Sequence, residues 1–102
     1  MKTPDQILTA IAQANNVTVE QIKGRSRKRE IVDARKMAMA TLRKMTRMSL
    51  HGIGGYIGKD HSTVVHAVIS HEELMEGDRH YSEIYRHAVC LMYPSQTKYI
   101  LA

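Results

Sequence analysis

Ile7, Leu8, Ile11 and Ala14 recur at the spacing of one helix face, behind a Thr3-Pro4 pair that reads as an N-cap followed by proline at the first helical position. This helix fades at Asn15-Asn16. Thr18 then caps a short helix that holds Val19 and Ile22 and stops at Gly24. Residues 25–30, RSRKRE, carry no apolar side chain and read as a basic connector, either an ordered arm or a flexible one. A long helix is predicted from about Val32 to Met48. Ala34, Met37, Ala38, Thr41, Met45 and Met48 form its core stripe, and Lys36, Arg43 and Arg47 cluster on the opposite side.

Ser49 can cap a short helix through about Tyr56, after which Ile57-Gly58-Lys59 makes a tight turn. A longer helix follows from about His61 to Met75. Its inward positions are Val64, Ala67, Val68, His71, Leu74 and Met75, with Ser62, Val65, His66 and Ile69 facing the other way. Gly77-Asp78 breaks it, and a last helix from about Tyr81 to Met92 turns Ile84, Ala88 and Leu91 inward before Pro94. The pattern predicts one all-α domain over residues 1–93, a compact bundle of five to six helices, with 94–102 as an unassigned tail. Composition agrees. The chain of 102 residues has two Pro, few β-branched runs, five Tyr and no Trp or Phe, so its seven Met must fill much of the interior.

Charge changes the picture. Residues 1–50 carry eleven Lys/Arg against four Asp/Glu, and residues 51–102 four against six. Ten of the basic residues fall between Lys23 and Arg47, opposed only by Glu30 and Asp33. A band of this density attracts polyanions, nucleic acid before anionic membrane. Cys90 is the single cysteine, no apolar leader follows Met1, and no run reaches membrane-spanning length. A cytoplasmic protein is expected.

The stretch LHGIGGYIGKDHSTVVHA at 50–67 raises a choice between a phosphate-binding loop and a turn. A Walker-type loop requires Gly five positions before Gly58, where Ile53 stands, and Ser or Thr after Lys59, where Asp60 stands. The dinucleotide pattern fails at Ile57. A helix-turn-helix uses the residues better: Gly58 supplies a left-handed turn, Gly54 a close approach of two helices, and Asp60, His61, Ser62 and Thr63 open the second helix with small polar groups suited to base edges.

At this point the chain resembles a known family. ARKMAMA at 34–40, SLHGIG at 49–54 and KDHSTVVHA at 59–67 are similar in order and spacing to the C-terminal DNA-binding domain of the bacterial replication initiator DnaA. The likeness covers roughly residues 5–75, with DHSTV as its most diagnostic run. The resemblance implies binding of double-stranded DNA at box-like sites. It assigns base contacts in the major groove to Asp60, His61, Ser62 and Thr63, with His66 beside them, and minor-groove insertion to Arg27, with Arg25 and Arg29 as neighbours. Phosphate contacts are expected from Arg35, Lys36, Arg43, Lys59 and the segment Ser49-Leu50-His51. Asp60 has a second reading as a plain N-cap, and His71 reads as structural.

The chain also departs from that family. Its turn is one residue shorter, Lys59 stands where Arg is common, and Ile69 and Ser70 stand where basic residues are frequent. This chain contains no ATP-binding region of the kind full-length initiators carry, so no ATPase activity is expected of it alone. It is either a free-standing protein, which Met1 and the extra tail slightly favour, or an excised fragment. A second functional reading is an interaction module that regulates an initiator or another replication protein through Ile69 and the acidic stretch Glu72 to Asp78. An enzyme is the third. Six His and one Cys show no C-x-x-C or H-E-x-x-H, and the spacing of His61, His66 and His71 rotates them around a helix. No catalytic residue, metal site or cofactor is predicted.

Overall fold

The computed structural model describes residues 2–94, and six helices occupy them: α1 Pro4–Asn15, α2 Val19–Lys23, α3 Arg29–Met45, α4 Leu50–Ile57, α5 His61–Gly77 and α6 Arg79–Met92. Of the expected tail 94–102, residues 95–102 lie outside the described residues. Local chemistry starts most of these helices. Thr3 and Thr18 each close a reciprocal capping box, with Gln6 and Gln21 respectively, and Pro4 opens α1. Asn16 ends α1 in the left-handed conformation, at φ 56°. Asp78 serves two helices at once. Its amide donates to Leu74 O at the end of α5, and its carboxylate accepts from the Tyr81 amide at 3.1 Å to start α6.

Four boundaries differ from the periodicity by two residues or more. The long helix begins at Arg29, three residues early, although Lys28 provides no side-chain cap. Burial of Ile31 and the Arg29–Asp33 pair (3.7 Å) account for the extension into the basic connector. It ends at Met45 because Thr46 turns away, its hydroxyl donating to Leu42 O and accepting from the Met48 amide. Met48 therefore packs on the core from outside the helix. At the other end of the chain, α5 runs two residues past Met75, and α6 starts two residues before Tyr81 because its cap is Asp78.

The core is continuous through all six helices. Ile7, Leu8 and Ile11 of α1, Ile22 of α2, Met37 and Leu42 of α3, Ile53 and Ile57 of α4, Val64 of α5 and Tyr81 of α6 are all buried. Helix α3 is the spine: it packs on α1, α2, α4 and α5, while α6 closes over α1 and α5. Met37, Met39 and Met92 are buried, and Met45, Met48 and Met75 pack against the core edge, in keeping with the shortage of aromatic side chains. Tyr56 of α4 donates its hydroxyl to Asp5 of α1, and Lys23 lies 4.1 Å from the centre of the same ring. No helix among the described residues is long and apolar enough to cross a membrane.

His71 is the polar exception in this core. It is fully buried, its Nδ1 lies 2.6 Å from the Tyr81 hydroxyl, and its ring stands edge-on to Tyr81 and Tyr85. Its Nε2 is buried with no hydrogen-bond partner. Burial, reinforced by the charge of Lys44, pushes its pKa down to about 4 and keeps the ring neutral at pH 7. The inward, structural reading of His71 matches this environment.

Candidate nucleic-acid interface

The turn between α4 and α5 is built by two glycines with distinct jobs. Gly58 adopts φ 87°, the left-handed conformation that the sequence predicts. Gly54 lets the backbone fold back on itself. Its carbonyl accepts from the amides of both Gly58 and Lys59 at 2.8 Å, and a Cβ on Gly54 would stand 2.5 Å from the Lys59 carbonyl oxygen. Gly55 has no such neighbour. The close approach locks the direction in which Asp60 launches α5.

That launch converges on one oxygen. Asp60 Oδ1 accepts from the Thr63 amide at 2.9 Å, the Ser62 hydroxyl at 2.8 Å and the Thr63 hydroxyl at 3.0 Å. These donors, the Thr63 amide first, lower the Asp60 pKa to about 2. The carboxylate is thus ionised throughout the physiological range. Asp60, His61, Ser62, Thr63 and His66 all stand exposed along the start of α5. His61 also stacks on His51 of α4, with ring centroids 4.3 Å apart and planes tilted by 30°, so the two helix N-termini lie side by side. Residue periodicity gives no signal for that pairing, because it depends on the turn geometry.

The basic connector is pinned at alternate positions. Arg35 is only 8% exposed and donates to three carbonyls: Nε to Ile22 at 2.7 Å, Nη2 to Gln21 at 3.1 Å and Nη1 to Ser26 at 3.1 Å. Lys59 Nζ donates to Gly24 O at 2.9 Å. Gly24 and Ser26 are thereby held, while the intervening Arg25 and the following Arg27 remain exposed. Arg35 is a correction to the sequence reading. The sequence assigns it to a phosphate, whereas the structure commits its guanidinium to the end of α2 and to the arm. Its position on the buried side of α3 comes from the packing of α2, which the charge pattern does not contain. Arg29 differs as well: it heads α3 and pairs with Asp33 and with Asp78 (3.6 Å).

Burial, then the nearby charges of Arg35 and Arg25, lower the Lys59 pKa. Three cations from three segments thus repel one another here, and an anion brought to this spot relieves the repulsion. A second basic corner forms where α3 meets α4. Arg43 donates to Met48 O at 3.2 Å, and Ser49 caps α4 by accepting from the Gly52 amide at 2.9 Å. The amides of Leu50 and His51, at the first two positions of α4, have no intrahelical acceptor. Lys36 lies on the wall of a cleft of about 460 Å³ between α3 and α5 that Lys59, Thr63, His66 and Ile69 also line. Ile69 is 54% exposed, the one large apolar side chain so displayed among the described residues. Lys44, by contrast, pairs with Glu72 of α5 at 2.7 Å and ties the two longest helices together.

A six-helix fold whose α4–turn–α5 unit carries an exposed polar second-helix N-terminus defines a helix-turn-helix domain. Residues 4–70 match the family described as bacterial DnaA protein helix-turn-helix, and the chain belongs to that family. It is 41% identical over 85 residues to the chromosomal replication initiator protein DnaA of Trichormus variabilis, covering 82% of this chain and 18% of that protein. With the DnaA protein of Lacticaseibacillus casei it shares 47% identity over 74 residues, 72% of this chain and 16% of the relative. With that of Gloeothece citriformis it shares 43% over 77 residues, 74% and 17% respectively. The chain spans less than a fifth of the length of these relatives.

Proposed function

We propose that this domain binds double-stranded DNA sequence-specifically, at sites resembling DnaA boxes, in replication initiation or its regulation. The observation that carries the reading is the rigid aim of the exposed first turn of α5, set by the Gly54–Lys59 approach and flanked by cations on both sides. Asp60, His61, Ser62 and Thr63, followed by His66, read base edges in the major groove. Arg27, with Arg25 beside it on the pinned arm, enters the adjoining minor groove, where narrow A·T-rich segments concentrate negative potential. Lys36, Arg43, Lys59 and the free amides of Leu50 and His51 hold phosphates and set register. The domain supplies recognition and no ATPase chemistry of its own.

Titration of box-containing and scrambled duplexes at one fixed salt concentration tests this. Tighter binding to the box is expected, with steep weakening as salt rises. Equal affinities would reject specific readout.

A second reading rests on Ile69, exposed beside the acidic Glu72 and Glu73 on the far half of α5. In that reading the fold docks on an initiator or another replication protein and regulates it. Binding to a full-length initiator without detectable DNA binding at low salt would favour it.

A further inference from the structure

The hydroxyl groups of Ser62 and Thr63 have no choice of hydrogen-bonding sense. Both lie within 3.0 Å of Asp60 Oδ1. An ionised carboxylate only accepts, and a hydroxyl has a single hydrogen. Each hydrogen is therefore directed at Asp60, and only lone pairs remain on the two oxygens. Asp60 Oδ2 likewise carries lone pairs alone. Donation to a carboxylate also polarises each O–H bond and makes its oxygen a better acceptor. Serine and threonine ordinarily meet either kind of base group. Here the Ser62 and Thr63 hydroxyls and Asp60 Oδ2 are left as acceptors only.

From this geometry we infer that Asp60 sets the sense of base readout, so that Ser62 and Thr63 meet the major groove as acceptors. They then select base edges carrying an exocyclic amine, adenine N6 or cytosine N4, over the carbonyl oxygens guanine O6 and thymine O4. The inference rests on the proposed DNA-binding function and sharpens it. Besides its own contact with a base edge, Asp60 positions the two hydroxyls, and Ser62 and Thr63 determine specificity at the bases they meet. A neutral cap would leave both hydroxyls free to rotate and donate, and the same two side chains would then tolerate keto bases.

The test starts from the tightest duplex that the full chain selects from a randomised library. Each adenine is replaced in turn by purine, which lacks the N6 amine, or by 7-deazaadenine, which lacks N7. Each cytosine is replaced by 2-pyrimidinone, which lacks the N4 amine. At one or two positions, removal of the amine should weaken binding about tenfold, while removal of N7 at an adenine there leaves it unchanged. That penalty should vanish in Ser62→Ala or Thr63→Val. Asp60→Gly, glycine being tolerated at an N-cap, should shift the preference at those positions towards guanine or thymine. Circular dichroism shows whether α5 survives the change, and the two hydroxyl variants keep the test decisive if it does not. Amine removals tolerated everywhere, or penalties that persist in both hydroxyl variants, overturn the inference while a selected consensus leaves the DNA-binding reading standing. Failure to select any consensus overturns both.

Discussion

Lys59 donates its ammonium to the Gly24 carbonyl at 2.9 Å, joining the turn of the helix-turn-helix to an arm thirty-five residues earlier in the chain. The residue that follows Gly58 in the turn thus also holds one end of the segment bearing Arg25 and Arg27. Two elements proposed to enter different grooves share one mechanical link. Lys59→Met should release the arm. Amide hydrogen exchange at residues 25–28 should accelerate and DNA affinity should fall. Global stability should drop by at most about 1 kcal/mol, because the ammonium remains part-exposed.

The glycines of α4 should separate cleanly. Gly54→Ala drives a Cβ to 2.5 Å from a backbone oxygen that cannot yield without opening the turn. A loss of about 1–3 kcal/mol in chemical denaturation is expected. Gly55→Ala meets nothing and should raise stability by roughly 0.5–1 kcal/mol through helix propensity.

Arg35 and Arg43 both lie on α3 and should behave as opposites. Arg35→Met takes the side-chain donor from the Ile22 and Ser26 carbonyls, while Gln21 O keeps the Gly24 amide, with an expected loss of about 2 kcal/mol. Arg35→Lys should recover only part of it, since an ammonium cannot reach three acceptors in a fork. Arg43→Ala should change stability by less than about 0.5 kcal/mol, yet weaken every duplex similarly and reduce the salt slope by about one unit.

His71 predicts a pH dependence whose sign follows from its burial. Its folded pKa of about 4 lies below the ordinary value of 6.5, so the unfolded chain binds the extra proton in between. Stability from this group is fully present above pH 6.5 and is lost as pH falls towards 4, by roughly 3 kcal/mol. Its ring faces Tyr81 and Tyr85 of α6, with Lys44 of α3 and its neighbour Glu72 nearby. His71→Gln can still hydrogen-bond Tyr81 but does not titrate, and the pH dependence of this variant's stability should be markedly flatter between pH 6.5 and 4.

Base readout and phosphate holding should also divide in binding assays. His61→Ala or Asp60→Ala should reduce discrimination between box and scrambled duplex by roughly 1–3 kcal/mol. Uniform weakening without loss of discrimination would remove these residues from the reading set.

Local chemistry made much of this molecule legible in advance. The caps at Thr3, Thr18, Ser49 and Asp60, the left-handed Gly58, the close approach at Gly54 and the inward His71 all depend on neighbours within a few residues or on a single helical period. Such signals survive in a linear reading because the interacting groups are close in the chain. The KDHSTVVHA run carried the family for the same reason, and residues 4–70 match it.

Tertiary structure decided what each charge does. Arg35, Arg43 and Lys44 share one helix and one ionic character. Packing turned the first inward onto the end of α2, set the second beside the start of α4 and gave the third to Glu72. The stacking of His51 on His61 and the reach of Lys59 to Gly24 likewise exist only after α4 and α5 are folded against α3 and the arm. Hydrophobic spacing determines which face of a helix is buried. The partner of a long polar side chain depends on which other segment arrives beside it, and only the packed core determines that.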